Sequence, residues 1–222
     1  MIIDSNDLVN SIMESLSRIE YIKPEEIPGI DLYMDQVTTL MDSKLKTTTR
    51  YPGEDKVLTK TMINNYTKNE LLPPPNKKKY SKDHMYLLIL IYYLKGVLSI
   101  TDIQSVLKPL NDRFFGGAGE VPFEEIYKEI FEIQKAQSDA VAKDVARKWK
   151  AVQGTYGDLK DKEQQEFLRK LSLICMLSFD VYMKKQLIEK MIDELAMKTA
   201  AAKEEAKKPD PKKEKGKSKE SK

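Results

Sequence analysis

Apolar residues recur every three to four positions along almost the whole chain, which is the spacing of one helix face. Leu8, Ile12, Leu16 and Ile19 mark a first helix, opened by Ser5 or Asn6 and broken by Pro24 and Pro28. Met34, Val37, Met41 and Leu45 mark a second, with Asp31 as its expected cap. The polar run 46–55, which contains Pro52-Gly53, reads as a loop. Thr59 then opens a short helix to about Asn69 that turns Met62 or Ile63, Tyr66, Leu71 and Leu72 inward. Pro73-Pro74-Pro75 forbids its continuation, and Asn76-Lys77-Lys78-Lys79 is a polar excursion. Ser81 caps a strongly apolar helix to about Lys95, Gly96 ends it, and Ser99 caps another from Ile100 to about Lys108.

The run Gly116-Gly117-Ala118-Gly119 reads as a linker; without a following Lys-Ser or Lys-Thr it is no phosphate loop. Pro122 suits the first turn of a helix to about Lys150, whose inner side is predicted from Ile126, Ile130, Ile133, Val141 and Val145. Gly154 and Gly157 break it. A long helix over about 161–197 then carries Phe167, Leu171, Ile174, Val181, Ile188, Ile192 and Leu195. Between 171 and 183 it is apolar nearly all round, so more than one face needs covering. From 198 onward the chain turns Lys-, Glu- and Pro-rich and is predicted to be disordered. The pattern therefore predicts an all-α protein. An N-terminal helical domain spans 1–112 (core 31–108), a Gly-rich linker 113–121, a helical C-terminal region suited to dimerisation 122–197, and a disordered basic tail 198–222.

Composition narrows this picture. Of 222 residues, 41% are hydrophobic and 33% charged, enough apolar surface for a core under a well-solvated exterior. One cysteine and one histidine exclude a disulfide framework and a Cys/His zinc site within one chain. The N-terminus lacks the basic-then-apolar order of a secretory signal, and the most apolar stretch, 85–100, is too short to span a bilayer. A cytoplasmic protein without membrane contact is expected. The net charge of +3 hides a partition. Seven lysines face one acid between 56 and 82, and ten lysines face five acids between 198 and 222, so the rest of the chain is acidic.

Candidate chemistry follows the first basic cluster. No acid–base pair, nucleophile triad or metal cluster stands out, so neither an enzyme nor a cofactor is expected. The helix after Thr59 leaves Lys60, Thr61, Asn64, Asn65 and Lys68 outward. Asn and Thr are mediocre helix formers, so such a face lacks a stability rationale. It suits groove reading, because an amide can pair with adenine and a hydroxyl with a base or phosphate. Lys60, Thr61, Asn64 and Asn65 are the candidates for contacting bases. Thr59, Lys68, Lys77, Lys78, Lys79 and Tyr80 are the candidates for contacting phosphates. Tyr80 is also weighed as core, together with Tyr66, Met85, Leu88 and Ile91. His84 is expected to serve a capping box, Cys175 to be a small buried hydrophobe, and Trp149 to be packed.

The order of signals in 58–107 resembles the MerR-type winged helix-turn-helix. The matching features are Leu58-Thr59, Tyr66, Leu71-Leu72-Pro73, Lys77 to Tyr80 as a basic wing, Ser81 to Met85, and Gly96 to Ile103; the MerR arginine before the paired aromatics is Asn64 here. More narrowly, IDLYMDQVT, LTKTMINNYTKN and KKKYSKDHM resemble the bacterial family known as domain of unknown function 1836. The MerR resemblance implies a sequence-specific DNA-binding transcriptional regulator. Its partners would be double-stranded DNA and a second copy of the chain, with room for a small apolar ligand in the C-terminal region. The alternative is a protein-interaction adaptor that keeps the scaffold without binding DNA.

Overall fold

The computed structural model describes residues 11, 22–51, 54–135 and 137–207. The helix expected over the first twenty residues and the tail from 208 on lie outside the described residues. The described chain is mostly helical, with one two-stranded antiparallel sheet.

Strand β1 (Leu32–Tyr33) pairs with β2 (Lys79–Tyr80), Leu32 opposite Tyr80 and Tyr33 opposite Lys79. Strand side chains alternate between faces, so Leu32 and Tyr80 enter the core while Tyr33 and Lys79 face outward. Extended backbone at β1 moves the cap of helix α1 (Met34–Leu45) two residues past the expected one. The cap is Tyr33, whose backbone N–H donates to Gln36 Oε1 at 2.9 Å, and not Asp31. Val37, Met41 and Leu45 are buried along one face of α1.

The loop after α1 is anchored at both ends. Thr48 and Tyr92 share a hydroxyl hydrogen bond of 2.7 Å, and Val57 and Leu58 are buried. Helix α2 (Lys60–Lys68) begins as the sequence predicts, with Thr59 Oγ1 accepting from the Met62 N–H at 3.2 Å. It ends before the prolines are reached. Glu70 adopts φ 57°, Leu71 N–H returns to Tyr66 O at 2.9 Å, and Glu70 N–H returns to Thr67 O at 3.2 Å. Those two bonds satisfy the last carbonyls of the helix in the manner of a Schellman cap.

Helix α3 (Lys82–Leu94) is the centre of the core. Every residue from His84 to Ile91 is buried, as expected of a helix apolar on all sides. At its start Ser81 N–H donates to His84 Nδ1 at 2.9 Å, the expected capping-box role. Helix α4 (Ile100–Phe114) is opened by the reciprocal pair Ser99 and Asp102. It continues through Pro109, well past the predicted end near Lys108. Proline removes one donor, but Leu110 and Phe114 still pack against the core and hold the extra turn.

The Gly-rich run is not a boundary of the core. Gly116 and Gly117 take φ 69° and 78°, and Gly116 N–H donates to Asp83 Oδ2 at 2.8 Å. Phe115 lies edge-on to His84 and to Phe123. The turn thereby delivers helix α5 (Phe123–Lys135) onto α3, where Phe123, Tyr127 and Phe131 are buried and the Tyr127 ring lies tilted against Tyr86, 4.4 Å between centres. The predicted inner stripe of this helix was Ile126, Ile130 and Ile133; Ile130 and Ile133 are exposed. The aromatic stripe holds the larger area, and α3 offers it aromatic partners.

The predicted single helix to Lys150 is two, α5 and α6 (Ser138–Gln153). Val145 is buried as expected, and Val141 is exposed. Helix α7 (Lys162–Lys207) runs ten residues beyond its expected end, because KTAAAKEEAK is rich in good helix formers. Trp149, Val152, Leu173 and Leu177 join α6 to the first half of α7 in a second small core, with Lys148 held between Asp144 and Asp180. Further along, Ile188 and Ile192 of α7 enter the main core, and α7 packs on α4. Among the described residues no helix is long and apolar enough to cross a membrane.

Candidate functional site

Burying Ile63 and Tyr66 dictates what the rest of α2 presents. Residues three, four and seven apart share a helix face, so Thr61, Asn64, Asn65 and Lys68 lie together, all exposed. Within the described residues these side chains make no hydrogen bond or ion pair. Lys60 is exposed too, but its ammonium is paired with the Asp35 carboxylate at the start of α1. Thr59 is half-buried and its oxygen caps the helix.

The polar excursion after the prolines is a tight hairpin. Asn76 and Lys79 exchange backbone hydrogen bonds of 3.0 and 2.9 Å across a two-residue loop made of Lys77 and Lys78. Both loop lysines sit in the left-handed region, at φ 48° and 65°. Such loops need positive φ at both central positions, which is why Asn-Gly is their usual occupant. A residue with a Cβ there costs about 1–2 kcal/mol. Two lysines therefore stand where stability prefers other residues, and strain of this kind concentrates at functional sites. Neither Lys77 nor Lys78 makes an ion pair with a described residue, and both are exposed.

The hairpin and α2 border the same short stretch of chain. Lys79 Nζ lies 5.3 Å from the centre of the Tyr33 ring, while Lys60 meets Asp35 two residues further on. Two residues span about 7 Å at most, so the base of the hairpin and the first turn of α2 flank one edge of β1 and α1. Tyr33 and Asp35 were not candidates in the sequence. A two-residue strand is too short for alternation to show, and the pairing that gives Tyr33 and Asp35 their roles is non-local.

One candidate leaves the set. Tyr80 is buried against the core opposite Leu32, and burial pushes its hydroxyl above the usual tyrosine range, so it is not a surface phosphate ligand. Tyr66, Met85, Leu88, Ile91 and Trp149 are buried as expected, whereas Cys175 is exposed and not the buried hydrophobe anticipated. Among the described residues no group of His, Cys, Asp and Glu is arranged to hold a metal ion.

These features define a mostly helical domain, knit by a two-stranded sheet, that displays a polar helix face beside a lysine-tipped hairpin. Residues 22–130 match the family described as Domain of unknown function (DUF1836). The match runs through the Gly-rich turn into α5 and thus covers most of the main core. No curated protein and no solved structure matches the chain.

Proposed function

We propose that the chain is a sequence-specific DNA-binding transcriptional regulator whose α1, α2 and hairpin act as a winged helix-turn-helix of MerR type. The observation that carries this reading is the pair of strained, exposed lysines at the hairpin tip beside an unused amide and hydroxyl face. In this reading α2 enters a major groove, where Asn64, Asn65 and Thr61 meet base edges. Lys68, Lys77 and Lys78 meet the flanking phosphates, with Lys79 steadied by Tyr33. Lys60 contributes only if it leaves Asp35, so it is the weakest of the four base candidates.

The hairpin supplies a test in which stability and binding move in opposite directions. Replacing Lys77→Asn and Lys78→Gly removes two left-handed lysines and two charges together. The double variant should gain about 1 kcal/mol or more in a denaturation titration. It should also lose DNA affinity and flatten the dependence of log affinity on log salt by about one unit per lysine. Retention of genomic fragments by the wild type at low ionic strength is the first readout. Failure to retain any DNA there refutes the proposal.

A further inference from the structure

The far end of α2 is gripped by a helix that lies outside the candidate site. Gln104, Lys108 and Asn111 follow one another at i, i+4 and i+7, so they form one polar stripe along α4. That stripe meets three consecutive residues as the chain leaves α2. Gln104 Nε2 donates to Asn69 O at 2.9 Å, Lys108 Nζ to Glu70 Oε2 at 2.9 Å, and Asn111 Nδ2 to Leu71 O at 3.3 Å. The adjoining face of α4 carries Ile103 and Leu107, both buried in the main core, so the stripe is rigidly mounted.

Glu70 is a poor choice for stability alone. It occupies the left-handed position that closes α2, at φ 57°, where glycine is the usual residue and a Cβ is strained. Its ion pair with Lys108 is exposed, and exposed pairs add little to folding. What the pair and the two flanking bonds do is fix where α2 ends. Asn64 and Asn65 lie about one turn before Asn69, so a displacement of the clamped turn reaches both nearly undiminished. We propose that Lys108, with Gln104 and Asn111 beside it, is a positioning residue. Without touching DNA, this stripe sets the angle at which α2 presents Asn64 and Asn65 to base edges. That role rests on the DNA-binding reading of α2 and adds a determinant of specificity outside the contacting surface.

The test uses the full chain, the duplex that the wild type enriches most from a randomised pool, and poly(dI-dC) as non-specific DNA. Glu70→Gly removes the tie and relieves the left-handed strain. It should melt no lower than the wild type, yet bind the enriched duplex about fivefold or more weakly, the loss of roughly one base contact. Glu70→Lys adds positive charge beside the site, which by electrostatics alone would tighten all DNA binding. It should instead weaken the enriched duplex by about the same factor and hold poly(dI-dC) at least as tightly as the wild type does. Adding Lys108→Glu to Glu70→Lys restores the pair with its charges exchanged, and should recover most of the lost affinity. A wild type that retains no DNA overturns the reading of the site and the positioning role with it. A wild type that enriches a duplex, with both Glu70 variants binding it undiminished, overturns the positioning role alone. So does a double variant no better than Glu70→Lys, and so does a Glu70→Gly loss accompanied by a lower melting temperature, which would mark a helix cap only.

Discussion

His84 shows how one residue can couple a helix cap to the core. Its Nδ1 accepts from the Ser81 N–H, its ring stands edge-on to Tyr80 and Phe115, and the side chain is buried. Burial pushes the imidazole below its usual value, against the opposing pull of the Pro73 and Pro74 carbonyls and of Asp83. The unfolded chain therefore takes up a proton near pH 6.5 that the folded chain still refuses. Stability is fully present above about pH 6.5 and falls as pH drops toward the lower folded value. Urea midpoints followed from about pH 7.5 to 5.5 should decline for the wild type. The His84→Gln variant, which keeps an acceptor for the cap, should stay flat over that range; equal slopes would show that His84 is not the responsible group.

At the scale of elements, the local signals that stop and start helices were legible. Thr59, Ser81 and Ser99 each head the predicted helix, because a cap is an interaction within four residues. Which face a helix buries was less legible. In α5, Phe123, Tyr127 and Phe131 repeat at helical spacing, and so do Ile126, Ile130 and Ile133. Spacing alone ranks them equally. The choice is made by Tyr86 and Tyr93 of α3, which lie against Tyr127 and Phe131 respectively. Truncating Phe131→Ala should therefore cost about 3–5 kcal/mol of folding stability. Ile133→Ala, in the same helix, should stay within about 0.5 kcal/mol. Equal effects in a guanidinium titration would return the isoleucine stripe to the core.

Across the whole molecule, the main core draws on residues more than 150 positions apart. Ile22 is buried at one end of the described chain, its carbonyl accepting from the Tyr127 hydroxyl at 2.6 Å, and Ile192 is buried near the other. Helix α7 therefore ties the second small core to the first, and the two are expected to unfold together. Ile192→Ala should cost about 3 kcal/mol and lower the transition reported by the α3 region as well as that of α7. A loss confined to α7 in hydrogen exchange would instead show two units of independent stability.

For the candidate site, the outward set Thr61, Asn64, Asn65 and Lys68 could be read from the sequence, because burial of Ile63 and Tyr66 leaves a nine-residue helix one other face. The two-residue strands, the left-handed lysines at the tip of the Asn76–Lys79 hairpin, and the roles of Tyr33 and Asp35 could not. The strand pairing and the roles of Tyr33 and Asp35 depend on segments 25 to 48 residues apart being brought together, for which a local pattern has no signal, and two lysines carry none of the residue types that mark a positive-φ turn. The same division holds for the fold. Periodicity and caps determined that the chain is helical and where most helices begin, since both are set by neighbours along the chain. Only the tertiary structure decided which apolar stripe is covered, that the Gly-rich run turns α5 onto the core of α3, and which side of α7 meets α6. Those outcomes follow from competition among surfaces for a limited number of partners, and a sequence states how apolar a face is without stating what will lie against it.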